Sequence, residues 1–405
     1  MTVDRRTIRA LYERCAIVLM GTVLLALGVE AIATAGVYAA KTTVGRAIRS
    51  RFLGRPTQLY DHYASLPYYR SQSWTERYWQ EHDAALVKRY SPYVLWRTSP
   101  FNGALVKVDE NGIRHTPGVN CGPGARKIFV FGGSVMWGWG APDWGTIPAY
   151  LQMYLQSASE QPVCVVNYAE HAYVSTQSII ELTRLLEAGN VPAMVIFYDG
   201  INDVLAARWS NRAMIHQAYD DIAERLEETR SPLQTWVRQL NSVTVMEMAL
   251  SRLIETDNVN TGSPGSGPRP DDLSRAVADA YLNDRRIVKA LADAYGFEYH
   301  SFWQPHVLVG KKRLTREEQA MVAGGLEWVL ELDRTLVELV ERTYRRIQEA
   351  ADGDAHLHYF GNLFDDRSDQ IWTDTWGHVV PPANDITAQA IAHVVAGGDV
   401  SASER

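Results

Sequence analysis

The sequence predicts an α/β fold whose parallel sheet is covered by helices on both faces. Three observations lead there. Short, almost wholly apolar runs, KIFVFG (127–132), PVCVVN (162–167) and AMVIFY (193–198), end at glycine or a polar turn, as strands buried on both faces do. Helical patterns at 147–157 and 176–186 separate them. After a long interruption the alternation resumes with a helical pattern at 273–295, the run FEYHSFW (297–303), another helical stretch at 315–348 and the run HLHYF (356–360). Strands alternating with helices form parallel sheets through crossover connections.

In chain order, residues 15–40 come first. Glu30 is the only charge in these 26 residues, a stretch longer than the roughly 20 that span a bilayer core. They read as a membrane anchor, with Glu30 needing a partner or an interfacial position. The competing reading is a signal peptide with an apolar region at 15–28 and a cleavage site at Ala33, Thr34 and Ala35. Basic residues flank both ends, so charge asymmetry leaves the orientation open. Nine of the 40 Lys and Arg but only three of the 47 Asp and Glu fall in residues 1–55, which leaves residues 56–405 with a formal charge of −13. That surface repels nucleic acid, whereas the basic flanks suit anionic lipid head groups. Cys15, Cys121 and Cys164 are too few and too scattered for a disulfide framework or a zinc site.

Residues 58–96 are dense in Tyr and Trp and read as packing against the main domain. The expected division is an anchor with its flanks at 1–55, an aromatic lead-in at 56–125, and an α/β domain at 126–405. That domain carries an insertion at about 206–272, helical over 206–255. ETDNVNTGSPGSGPRPDD (255–272) follows as a mobile loop, its Gly, Pro and Ser offering little apolar area to offset ordering.

Within FVFGGSVMWGWG (129–140), Ser134 follows a strand and a pair of glycines, at the carboxyl edge of the sheet where open α/β folds keep their sites. A helix cap is the simpler use of such a serine. YDGIND (198–203) ends the third strand, where the Asn202 amide can donate toward a developing anion. TDTWGHVVPPAN (373–384) puts Asp374 and His378 in the last loop before a closing helix, where a histidine can take the serine's proton and a carboxylate can orient the imidazole. Glu170 with His171, and His356 with His358, are the nearest approach to metal ligands, and residues so spaced are more often core or surface. No metal or cofactor is expected.

Together, in this order, GGSVMWGWG, YDGIND and the Asp/His loop resemble the SGNH (GDSL-type) hydrolases over roughly residues 110–395, with DENGIRHTPG and VVNYAEHAYVSTQ as further matching blocks. The resemblance implies a flavodoxin-like α/β/α sandwich. It makes Ser134 the nucleophile, Asp374 and His378 the rest of a triad, and the Ser134 amide, Ala172 amide and Asn202 side chain the oxyanion donors. Three positions depart from the family pattern. Gly133 replaces the usual aspartate of GDS, Ala172 replaces a glycine, and the usual DxxH is DxxxH, with Thr375 where the acid is expected. A one-residue bulge restores Asp374 to His378; without it, Thr375 or a carbonyl orients the imidazole.

Trp137, Trp139, Trp144, Trp372 and Trp376 cluster around these blocks and suit a saccharide platform as well as a core. The resulting expectation is a single-pass membrane protein with an extracytoplasmic serine esterase domain, cleaving an acyl or acetyl ester of an envelope glycan. The alternatives are acyl transfer to a glycan acceptor and a non-catalytic glycan-binding or assembly protein of the same fold.

Overall fold

A computed structural model describes residues 5–41, 62–227, 240–243, 245–246, 268–324 and 332–398. Its described strands are β1 (Lys88–Ser91), β2 (Leu95–Thr98), β3 (Phe101–Asn102), β4 (Lys107–Val108), β5 (Arg126–Gly132), β6 (Val163–Asn167), β7 (Met194–Asp199), β8 (Glu298–Trp303) and β9 (Leu357–Tyr359). The first four make two antiparallel hairpins, β1 with β2 and β3 with β4. The other five form one parallel sheet in the order β6-β5-β7-β8-β9.

All of β7 and the last five residues of β5 are buried, which is why these strands read as unbroken apolar runs. Successive side chains still point to opposite faces. Ile128, Val130 and Ile196 enter one core with Leu151 of helix Ile147–Ser157 and Ile391 of helix Pro381–Val395. Phe129, Phe131, Val195 and Phe197 enter the other with Leu182 of helix Ser175–Glu187 and Val288 of helix Pro270–Tyr295. The chain is therefore an α/β protein with helices on both faces of a parallel sheet.

Two helical expectations are corrected. The helix expected at 273–295 begins at Pro270, since proline fits the first turn and Asp271 and Asp272 suit the positive end of the helix. The stretch expected to be helical over 315–348 holds, among its described residues, the helices Arg316–Val322 and Arg334–Ala351. Gly324 in the left-handed conformation follows the first, and Asp333 caps the second by accepting from the Leu336 N–H at 2.7 Å. In the insertion, helix Ile201–Ser210 stops at Asn211, itself left-handed, and helix Tyr219–Glu227 follows. Most of 228–255, and the expected mobile loop as far as residue 267, lie outside the described residues.

The chain forms two compact units. The first comprises Met1–Thr57 with Glu224–Ser266, and the second Gln58–Ala223 with Gly267–Arg405. In the first, helix Arg5–Lys41 contains a span, Tyr12–Val37, long and apolar enough to cross a membrane. Glu30 accepts from the Ser242 hydroxyl at 2.6 Å and the Ser242 N–H at 2.9 Å, so its carboxylate is hydrogen-bonded. In the second unit, Tyr63, Tyr69, Tyr78 and Trp79 of the aromatic lead-in join the same core as Ile128 and Val130.

The expectation for the cysteines is also corrected, because Cys121 and Cys164 form a disulfide across 43 residues, with their Cα atoms 5.0 Å apart. Cys164 lies on the edge strand β6, and folding brings the loop before β5 to it. Linear spacing carries no trace of that approach. Closing a loop of this length restricts the unfolded chain, so Cys121→Ser and Cys164→Ser should each cost about 2–4 kcal/mol. Denaturant midpoints of the two variants and of their double variant check this: the double should lose no more than either single.

Candidate active site

Ser134 opens a four-residue helix, Ser134–Trp137, directly after β5. Two glycines make that turn possible. Gly132 has φ +151°, and a Cβ there would collide with the Tyr198 carbonyl of the neighbouring strand. At Gly133 a Cβ would collide with Asn202 Nδ2, so the glycine lets the asparagine amide lie against the serine turn. Arg114 holds the far end of the turn. Fully buried, it pairs with Asp143 at 3.0 Å, donates to the Gly138 and Ala141 carbonyls at 2.7 and 2.6 Å, and lies 4.2 Å from the Trp137 ring centre.

Ser134 Oγ is 2.7 Å from His378 Nε2, and His378 Nδ1 is 2.6 Å from Asp374 Oδ2. A carboxylate facing Nδ1 requires the hydrogen there, which leaves Nε2 as the acceptor for the Ser134 hydroxyl. The DxxxH spacing works because the loop is the tip of a short hairpin, closed by the Trp372–Val379 bridge and by the Thr373 N–H donating to the His378 carbonyl at 3.0 Å. Gly377, at φ +92°, takes up the reversal. Asp374 Oδ1 accepts from the Trp376 and His378 N–H groups at 2.9 and 3.2 Å, folding the loop around its own carboxylate. The Thr375 carbonyl instead lies 3.0 Å from His306 Nε2.

Asp374 is fully buried. Burial opposes its charge, but the His378 and Tyr63 donors prevail and hold the carboxyl below its ordinary range. Trp139 stacks on the His378 ring, with centroids 4.6 Å apart and planes 11° apart. Such a face fixes the imidazole plane.

Asn202 is the second residue of helix Ile201–Ser210 after β7 and donates from Nδ2 to the Tyr173 carbonyl at 2.9 Å. That bond orients the amide and joins β7 to the loop carrying Ala172. Ala172 has φ +60°, the left-handed conformation that non-glycine residues rarely adopt. Glu170 pins the loop, accepting from Lys88, the Thr98 N–H and the His171 N–H at 2.6, 2.6 and 2.8 Å. Trp96 Nε1 donates to the His171 carbonyl at 2.9 Å. Ser134, Ala172 and Asn202 are all half-buried, whereas Asp374 and His378 are buried behind them.

The five tryptophans divide by burial. Trp137 and Trp372 are core residues, and the exposed Trp144 packs edge-on against Trp74. Trp139 and Trp376 are half-buried, the latter 5.9 Å from Trp209. His358 Nε2 pairs with His300 Nδ1 at 3.1 Å, and His356 Nδ1 lies 3.0 Å from the Tyr299 carbonyl. Sequence reasoning missed Tyr63, His62 and His306 around the Asp374 loop; His62 and Tyr63 are each 311 residues from their partners there.

No family model and no curated protein matches the chain. Among solved structures it is similar to a catalytic mutant of Axe2, an acetylxylan esterase from Geobacillus stearothermophilus, at 12% identity over 68% of this chain and 97% of that one, with a TM-score of 0.36. It is also similar to the acetyl xylan esterase AlAXEase, at 12% identity over 65% and 96% with a TM-score of 0.34. A third similarity is to the lipase Lip_vut3 from a goat rumen metagenome, at 10% identity over 68% and 99% with a TM-score of 0.37. At such values the chemistry rests on this site's own geometry.

Proposed function

We propose that the chain is a serine esterase of the SGNH type, held at a membrane by its N-terminal helix and acting on an acyl or acetyl ester of an envelope glycan. The observation that carries the reading is the continuous hydrogen-bonded series from Ser134 Oγ through His378 to Asp374, with links of 2.7 and 2.6 Å. Strand order supports it as well, since β6-β5-β7-β8-β9 is the 2-1-3-4-5 arrangement of flavodoxin-like sheets. Ser134, Ala172 and Asn202 all lie just beyond the carboxyl ends of these strands.

In this mechanism Ser134 Oγ attacks the ester carbonyl as its proton passes to His378 Nε2. Asp374 stabilises the resulting imidazolium, which then protonates the departing alkoxide. The oxyanion is held by the Ser134 and Ala172 amides and by the Asn202 side chain, whose second N–H remains for that use beyond its bond to Tyr173. Water attacks the acyl-enzyme with His378 again as base. The Cys121–Cys164 disulfide supports an extracytoplasmic domain, because such bonds persist in oxidising compartments. The half-buried Trp139 and Trp376 support a saccharide ligand.

The test is release of aryl alcohol from a short aryl ester, followed by incubation with an acetylated glycan and with a glycan acceptor. Free acid as the product identifies hydrolysis; ester appearing on the acceptor identifies transfer by the same acyl-enzyme. Absence of Ser134-dependent turnover on every ester sinks the enzyme reading in favour of a glycan-binding protein.

A further inference from the structure

The segment that follows the membrane span lies outside the region of family resemblance, yet it reaches the innermost member of the proposed triad. Tyr63 Oη donates to Asp374 Oδ2 at 2.6 Å, the same oxygen that faces His378 Nδ1. We infer that Tyr63 is a positioning residue of the Asp374–His378 pair, fixing the carboxylate and sharing the charge on the oxygen that faces the imidazole. The inference rests on the esterase reading for its catalytic consequence, but not for its geometry.

The carboxylate geometry is closed. Oδ1 accepts two backbone N–H groups, and Oδ2 accepts the imidazole N–H and the phenol, so each oxygen has two donors and the group cannot rotate without losing them. Short, charge-assisted bonds of this kind are the strong ones. The phenol is itself fixed: Tyr63 is 1% exposed, and its ring stacks on Trp79 with centroids 4.4 Å apart. It also meets edge-on Trp139, the ring stacked on His378. Packing alone would be served by phenylalanine, whereas a buried hydroxyl needs a partner, and here the partner is Asp374. Burial and the Asp374 charge push the phenol well above its ordinary range, so it keeps the proton that it donates to Asp374. Beside it, His62 Nε2 lies 2.9 Å from the Thr373 carbonyl. His306 holds the Thr375 carbonyl, so the carbonyls of both residues flanking Asp374 are anchored.

The other titratable groups acting on the pair are His62, His306 and Tyr69 toward Asp374, and His82 and His171 toward His378. Burial lowers all four of these histidines, so they are neutral near pH 7 and leave Tyr63 as the donor whose removal alters the charge on Oδ2.

Tyr63→Phe in the full-length protein tests this. Losing the phenol concentrates charge on the side facing the imidazole, so the pair holds its proton more tightly. The midpoint of the pair's titration, followed on the His378 imidazole resonances, should rise by about half a pH unit or more. The acid limb of kcat/KM for an aryl ester should move up with it, and the plateau kcat should fall roughly tenfold as the carboxylate loses a donor. Site-specific 3-fluorotyrosine at position 63 keeps the ring and strengthens the donor, so it should move the midpoint the opposite way. That substitution decides the matter if Tyr63→Phe does not fold. A titration midpoint unmoved by the substitution, or a kcat loss that is equal at every pH, overturns the inference. A shifted midpoint in a protein without Ser134-dependent turnover leaves the inference standing and removes the esterase reading.

Discussion

Ser134→Ala should lower kcat/KM for a short aryl ester by on the order of 10⁴–10⁶-fold, the scale on which a triad nucleophile acts. The fold should survive, because the turn is held by other groups. Gly132 and Gly133 permit its backbone path, and Arg114 ties its far end through the Gly138 and Ala141 carbonyls. The hydroxyl is half-buried and bonded to His378 Nε2, so its removal leaves a small, solvent-accessible gap. Turnover within tenfold of the parent, in a variant with unchanged circular dichroism and unfolding midpoint, would remove Ser134 from the chemistry.

Asp374→Asn should cost about 10⁴ in kcat, again with the fold retained. The cause is the tautomer. An asparagine can present its oxygen to the Trp376 and His378 N–H groups, and its NH₂ then faces both His378 Nδ1 and Tyr63 Oη. Nδ1 becomes the acceptor, the ring hydrogen moves to Nε2, and Ser134 loses the lone pair that would take its proton. Thr375→Val should cost turnover far less than Asp374→Asn, because the group facing His378 Nδ1 is the Asp374 carboxylate. A loss confined to the Thr375 variant would transfer the orienting role away from Asp374.

How much of this was legible in the sequence depended on whether a feature was local. The central strands β5 and β7 were readable because burial on both faces leaves an almost unbroken apolar run, KIFVFG at β5 and AMVIFY at β7. Ser134 and Asn202 were readable because they sit where a strand meets a helix, marked by glycines. The break after helix Arg316–Val322 and before helix Arg334–Ala351 was harder, because helix-compatible sequence runs on both sides of it, and among the described residues Gly324 and the Asp333 cap mark it. The spacing between Asp374 and His378 could not be settled from a motif, since it depends on a hairpin closed by the Trp372–Val379 bridge and on Gly377 adopting a positive φ. Least legible were the groups that join residues remote in sequence. Tyr63 on Asp374, and Cys121 on Cys164 at the sheet edge, meet only once the sheet and its covering helices have assembled.

Covalent labelling tests the central claim most directly. The full-length protein, in detergent and near neutral pH, would be treated with a fluorophosphonate probe, and the modified peptide located by mass spectrometry. The account predicts one stoichiometric adduct on Ser134, formed far more slowly in His378→Ala and absent from Ser134→Ala. A folded protein that leaves Ser134 unlabelled, or that reacts equally fast without His378, would contradict it.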